Sequence, residues 1–284
     1  MLTPPIIRAR QHPAALEIIG QPVAQSLSPV MQGAALVAAG LPVRYGRRDV
    51  APDDVRAVLD ELRRTRVGGN VTMPHKAAVF AECSVRSSLA SRIGAVNTFW
   101  FDDEVLSGHN TDVAGSLATI RALCPDGLHG KSATLIGAGG SAAAVLVALE
   151  MSGCQDIRLW TRTADRARDT AERVGVSVQV SDSASAAVDG AAIVINASPL
   201  GMHDEAMPVD PHVLSDSAAA FDLVYREGET AWVRACRARG LRAEDGLRML
   251  VEQGAESFRV WFDTEPSLAA MWSALEQRPW MQTQ

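Results

Sequence analysis

Short β-rich runs alternate with helical stretches along almost the whole chain, and the alternation starts afresh part-way. From Ala15, "ALEIIG" reads as a strand, "SPVMQGAALVAAG" as a helix, "VRYGRRDV" as a strand, "PDDVRAVLDELRRT" as a helix and "VGGNVTM" as a strand. "AVNTFWFDDEVLSGHNTD" predicts a hairpin turning at Asp102-Asp103, with β-branched and aromatic residues on both arms. Cys124 to Lys131 carry Pro, two Gly and Asp, which suits a loop between domains. Beyond it, "SATLIGAGGSAAAVLVALEMSG" reads as a strand, a glycine turn and a small-residue helix. Further strand candidates follow in "DIRLWTRT", "VSVQV", "AAIVINAS" and "AAAFDLVY". Strands that alternate with helices run mostly parallel, because each crossover brings the chain back to the same end of the sheet, and the helices then cover both faces. The fold class is therefore α/β with two domains, residues 1–115 plus 246–284 and residues 116–245. The helix "GLRMLVEQGAESFRVWF" is expected to leave the second domain and pack back onto the first, and "SLAAMWSALEQ" to form one more helix.

Composition narrows the function classes. A chain of 284 residues that is 47% hydrophobic can bury a sizeable core. The net charge of −6 and the absence of any Lys/Arg run argue against nucleic acid as a partner. Cys83, Cys124, Cys154 and Cys236 lie far apart with no CxxC spacing, so neither a metal nor a redox pair is predicted, and they read as buried thiols. No apolar run reaches the ~18 residues of a membrane span, and the start "MLTPPIIRARQHP" has no signal-like apolar core. A soluble, cytoplasmic protein is expected, with no membrane partner.

The turn "LIGAGGSAAA" places Gly137, Gly139 and Gly140 between a strand and a helix. Such a turn lets the backbone approach a pyrophosphate, which the helix amino terminus then holds. The spacing is G-x-G-G and not the full dinucleotide fingerprint; the alternative is a tight turn that needs glycine for its own geometry, but the strand and helix sit where a cofactor site needs them, which favours the cofactor. A cofactor lacking a 2′-phosphate usually meets an acid about 20 residues further on. Here the next strand ends in "LWTRTADRAR", with Arg162 and Arg166 and no acid at its tip. Arginine suits a phosphate through its fork of donors and fixed charge, which favours NADP over NAD.

"GGNVTMPHKAAVF" puts Lys76 in the first turn of a predicted helix, with Pro74 as its first residue. A cation is disfavoured beside the positive end of a helix dipole, so a lysine there gives up its proton more easily. In "SLSPVMQ", Ser28 before Pro29 is an N-cap signal, and the helix start offers N–H groups to an anion.

These stretches form an ordered series: "SLSP" at 26–29, "NVTMPHK" at 70–76, "GAVNT" at 94–98, "NTD" at 110–112, "GAGG" at 137–140, "TRT" at 161–163, "NASPLGM" at 196–202, "DLVY" at 222–225 and "GLRMLVEQGAESF" at 246–258. The series resembles the shikimate dehydrogenases and their quinate dehydrogenase relatives, from about Gly20 to Phe262. The resemblance implies a substrate domain, a Rossmann-type domain and a site in the cleft between them. It implies an NADP-dependent oxidoreductase that interconverts an alcohol and a ketone on a small cyclic acid. Lys76 and Asp112 would be the proton-transfer pair, Ser26 and Ser28 would bind the carboxylate, and Thr72, Asn97, Asp112 and Gln253 the ring hydroxyls, with Tyr225 near the carboxylate. Gly137, Ala138, Gly139, Gly140 and Ser141, Thr161, Arg162 and Arg166, and Ala197, Leu223 and Gly246 would meet the cofactor. Family members occur as monomers and dimers.

The chain departs from the family pattern around the serines. Gln25 replaces a usual histidine, Gln32-Gly33 stands where His followed by a polar residue is common, and "DLVYREGET" lacks the proline common after that tyrosine. Three readings follow: a shikimate dehydrogenase, a paralogue acting on quinate, an aminated analogue or another cyclic acid, and a non-catalytic NADP-binding sensor. Gln25, Gln32 and Gly33 are the expected places for altered specificity, and His75 and His109 read as loop or supporting residues without metal-ligand spacing.

Overall fold

The computed structural model describes residues 11–277. The expectations about the first ten residues and about the end of the tail lie outside them. The chain divides into two compact units, one running to Thr111 and resuming at Val251, the other Asp112–Leu250.

The first unit opens with β1 (Ala15–Gly20), α1 (Ser28–Ala38), β2 (Tyr45–Asp49), α2 (Val55–Thr65) and β3 (Val67–Val71). It continues through α3 (Lys76–Glu82), β4 (Val85–Arg86), α4 (Ser88–Ile93), β5 (Thr98–Asp102) and β6 (Val105–His109). Its sheet has the order β2-β1-β3-β5-β6-β4. The β1–β2, β1–β3 and β4–β6 pairs are parallel, whereas β3–β5 and β5–β6 are antiparallel because a hairpin reverses the chain. That hairpin turns at Asp103-Glu104, one residue later than expected, since Asp102 still pairs with Val105 and Asp103 takes up the left-handed conformation at φ 54°. α2 and α3 cover one face over a core that includes Ile19, Leu62, Val79 and Phe99.

The second unit runs α5 (Asp112–Leu123), β7 (Ser132–Ile136), α6 (Ala142–Met151), β8 (Asp156–Trp160), α7 (Ala164–Val174), β9 (Gln179–Val180) and α8 (Ala184–Val188). Then come β10 (Ile193–Asn196), β11 (Ala219–Asp222), α9 (Ala231–Ala238) and β12 (Arg242–Glu244). All strands are parallel in the order β12-β11-β10-β7-β8-β9. This is the doubly wound Rossmann order, whose direction reverses between β7 and β10. Ligands of such sheets bind outside the carboxyl ends of the strands at that switch point. α6 is apolar all round and Ala142 to Leu149 are each buried, as a helix enclosed on every side must be. α10 (Gly246–Phe262) starts in this unit and continues into the first from Val251, where α11 (Leu268–Glu276) packs on α1. Among the described residues no helix is long and apolar enough to cross a membrane.

Candidate active site

Two of the local expectations at the start of the chain change in the structure. Ser28 is not the cap of α1 but its first residue, and Leu27 takes the cap position without a side-chain bond. Ser26 Oγ instead accepts the Ser28 N–H at 3.3 Å, so the hydroxyl of Ser26 does the capping work. Pro29 signals the first turn without fixing which residue precedes it, because its missing N–H is tolerated anywhere there. Likewise, Pro74 does not open α3. It lies in the turn after β3, where Met73–Pro74 is cis, and α3 begins at Lys76. His75 precedes it, buried, with Nε2 2.7 Å from the Val50 carbonyl. Lys76 is half-buried, and its carbonyl accepts the Val96 N–H at 3.0 Å. Thr72 lies in the same turn, and a Cβ on Gly20 would come within 2.3 Å of its methyl carbon, so β1 must end in glycine for Thr72 to sit there.

Behind these residues lies a buried hydroxyl and amide cluster in the first unit. Asn97 Oδ1 accepts the Thr111 N–H at 2.8 Å, and its Nδ2 donates to Thr111 Oγ1 at 3.0 Å and Gln253 Oε1 at 3.4 Å. Thr111 Oγ1 also lies 3.3 Å from Gln253 Oε1. Asp112 is the next residue, opens α5 and is 4% exposed. Asn70, in β3, donates to the Asn97 carbonyl, Thr98 Oγ1 and Ser257 Oγ at 3.0–3.1 Å and accepts from Tyr45 Oη at 2.7 Å. Every polar group of this cluster has partners, as burial requires. His109 sits beside it at the end of β6, its Nδ1 2.6 Å from Ser87 Oγ, and burial pushes its imidazole down to about 4.

In the second unit the glycine turn follows β7 at the switch point. Gly137 has φ 103°, and a Cβ on it would lie 2.9 Å from the Ala197 carbonyl carbon and the Ser198 nitrogen, so the turn itself demands glycine there. Gly139 and Gly140 differ. Neither has positive φ, a Cβ on Gly140 would meet nothing within 4 Å, and one on Gly139 only the Ala197 oxygen at 3.8 Å. Their missing side chains leave open backbone above the start of α6, with Ala138 and Ser141 beside them. An open depression of about 290 Å³ lies against Ala138, Gly139 and Gly140, walled by Arg166, Asp169, Thr170 and Arg173 of α7. Arg162 and Arg166 are exposed and make no ion pair among the described residues, whereas Arg168 pairs with Asp165 at 2.9 Å. Thr161, at the tip of β8, is half-buried.

The ends of β10 and β11 are tied together by Asp222. It accepts from Asn196 Nδ2 at 2.9 Å, Thr230 Oγ1 at 2.8 Å and the Val224 N–H at 3.1 Å, and burial pushes its carboxyl up to about 6. This fixes Ala197 and Leu223, the residues just beyond the two strands. Gly246 opens α10 where a Cβ would come within 2.3 Å of the Leu223 oxygen. Tyr225 is half-buried beside it, its hydroxyl pushed up by burial and by the Asp245 charge.

Three family models match this chain. The shikimate dehydrogenase substrate binding domain covers residues 18–99, shikimate / quinate 5-dehydrogenase 120–200, and the shikimate 5′-dehydrogenase C-terminal domain 246–276. A shikimate dehydrogenase (NADP(+)) of Mesorhizobium japonicum is 39% identical over 262 residues, 91% of this chain and 94% of the relative. The chain belongs to the shikimate dehydrogenase family. The family's solved structures agree in fold. The Thermus thermophilus shikimate 5-dehydrogenase in complex with NADP(H) and shikimate has a TM-score of 0.84 at 35% identity, covering 93% of this chain and 98% of its own. A quinate dehydrogenase from Corynebacterium glutamicum in complex with NAD has a TM-score of 0.86 at 29% identity, covering 94% and 100%.

Against the family pattern, the departures near the serines have distinct fates. Gln25 is exposed, and a Cβ on Gly33 would meet nothing within 4 Å. Gln32 is 0% exposed and donates from Nε2 to the Gly254 carbonyl of α10 at 2.8 Å, while its Oε1 is buried with no hydrogen-bond partner among the described residues. Gln32 therefore braces the helix turn that carries Gln253. The residues missed in the sequence are Tyr45, Asn70, Thr98, Thr111 and Ser257. An amide in the otherwise buried "VGGNV" strand demanded partners and so signalled the cluster, but nothing pointed to Tyr45 or Ser257.

Proposed function

We propose that the chain is an NADP-dependent shikimate dehydrogenase, interconverting shikimate and 3-dehydroshikimate. The observation that supports this most is the contrast within the glycine turn. Gly137 is needed by the turn, whereas Gly139 and Gly140 leave backbone bare for no reason internal to the chain. A phosphate-bearing dinucleotide at the switch point supplies that reason. Gly137 to Ser141 would hold its pyrophosphate, Arg162 and Arg166 its 2′-phosphate with Thr161 alongside, and Ala197, Leu223 and Gly246 would wall the remainder. The bound cofactor supplies hydride chemistry, and the side chains do the rest.

Lys76 and Asp112 move the proton at the reacting ring oxygen as its carbon gains or loses hydride. Ser26 and Ser28 hold the carboxylate, and Tyr225 adds a hydroxyl near it. Since Ser26 already takes the Ser28 N–H, the Ser28 hydroxyl is not spent on capping. Thr72, Asn97, Asp112 and Gln253 take the ring hydroxyls, with Asn97 and Gln253 oriented by Thr111. The four buried, unbridged thiols suit a reducing compartment, which supports the cytoplasm.

The test is NADP reduction, followed at about 340 nm where the reduced nicotinamide absorbs, with shikimate, quinate and an aminated analogue, each with NADP and NAD. Shikimate with NADP is expected to be the preferred pair. Lys76→Ala and Asp112→Asn are each expected to lower kcat by about 10²–10⁴ with NADP binding retained. Preference for quinate with NAD would replace this reading by the quinate one. Tight NADP binding without turnover of any acid would replace it by the sensor.

A further inference from the structure

The loops that follow β10 and β11 are joined by a side chain to which neither the family pattern nor the site above gives a role. "DLVYREGET" carries Arg226 directly after Tyr225, in the stretch where the family's usual proline is missing. The Arg226 guanidinium reaches across to the loop after β10. Its Nη1 donates to the Asp204 carbonyl at 2.7 Å and lies 3.3 Å from the Gly201 carbonyl. It also pairs with Glu205 Oε1 at 3.3 Å, and Glu205 pairs in turn with Arg234 at 2.6 Å. The Arg226 side chain is 28% exposed, so these bonds are partly shielded from water.

The loop so held is built to transmit position. At its root, Asn196 Oδ1 accepts the Ser198 N–H at 3.0 Å, and Asn196 is itself held by Asp222. At its far end, Asp204 Oδ1 accepts the Gly201 and Ala206 N–H groups at 3.2 and 3.0 Å, closing residues 201–206 into one turn. Between them, Ala197 and Ser198 pack within contact of Gly137. A shift of the loop therefore moves the atoms against which the glycine turn rests.

We propose that Arg226 is a positioning residue for the cofactor, clasping residues 197–206 so that Ala197 and Ser198 hold the glycine turn in its binding geometry. The proposal rests on the reading of that turn as the NADP site. All three contacts are made by the charged Nη1, a donor that a proline at this place would not supply.

NADPH binding to the full chain, measured by titration calorimetry without any acid substrate, tests it. Arg226→Ala is expected to raise the Kd for NADPH about tenfold, with the KM for the acid at saturating NADP changed less than about twofold. Glu205→Gln removes the ion pair alone, and is expected to leave the Kd within about twofold. A merely structural role would lower the fraction of folded protein and leave the Kd of the remainder unchanged. Arg226→Ala binding NADPH as tightly as the wild type overturns the proposal, as does a Glu205→Gln variant weakened to the same degree. Failure of the wild type to bind NADPH would instead overturn the reading of the glycine turn.

Discussion

Lowering the pH from about 7.5 to about 5 is expected to remove about 2 kcal/mol of stability through His109 alone. The ring is 5% exposed, and burial pushes it down to about 4 from an ordinary value of 6.5. Ser87 Oγ accepts the Ala90 N–H at 3.0 Å as the cap of α4, and lies 2.6 Å from His109 Nδ1. Protonating the ring places a charge in a dry site.

The sign follows from linkage. Between about 4 and 6.5 the unfolded chain binds a proton at this histidine that the native state refuses, so stability falls as the pH falls through that window. At about pH 7.5 both states are neutral; by about pH 5 most unfolded histidine is charged and little of the native, a difference of about 2 kcal/mol. The loss saturates at about 3 kcal/mol below the native value. Denaturant unfolding of the wild type and of His109→Asn at both pH values isolates this contribution, because other groups cancel in the difference. His109→Asn keeps a hydrogen-bonding group beside Ser87 and cannot titrate, so the wild type should lose about 2 kcal/mol more than the variant between the two conditions. Proton NMR of the histidine rings, assigned with the same variant, reads the midpoint directly. A His109 midpoint near 6.5, or equal pH dependence in the two proteins, would refute the reasoning.

Gly140→Ala is expected to leave thermal stability unchanged, because its Cβ meets nothing within 4 Å, yet to raise the KM for NADP about tenfold or more. A melting curve beside initial rates checks both halves. Asp222→Asn is expected to gain about 2 kcal/mol relative to the wild type as the pH rises from about 4 to about 6. The native carboxyl holds its proton up to about 6, against 3.8 ordinarily, so the wild type loses stability with rising pH in that window, opposite in sign to His109. Urea unfolding across the window measures this. Gln32→Leu is expected to change stability by less than about 1 kcal/mol, because loss of the bond to Gly254 is offset by removal of the buried, unpartnered Oε1. Denaturant midpoints of the two proteins decide it.

What could be read from the chain follows the scale of the signal. β7, β10 and β11 of the second sheet are buried on both faces and appear as mostly apolar runs, so their existence and parallel sense were plain. α10 was legible to both ends because its apolar spacing persists over Gly246–Phe262. β4 and β12, of two and three residues, carry no period at all. Helix starts were misread by one or two positions at Ser28 and Pro74, since proline marks a first turn without numbering it. Of the hydroxyl cluster around Ser257 only Asn70 gave a signal, because its members come from β3, β5, the end of β6 and α10, and only the fold brings them together. The glycine turn marks the limit most sharply. Gly137, Gly139 and Gly140 are the same letter, and no spacing rule separates a glycine kept for its own backbone from one kept for a ligand. Space does: Gly137 is filled from within by Ala197 and Ser198, while no described residue would come within 4 Å of a Cβ on Gly140.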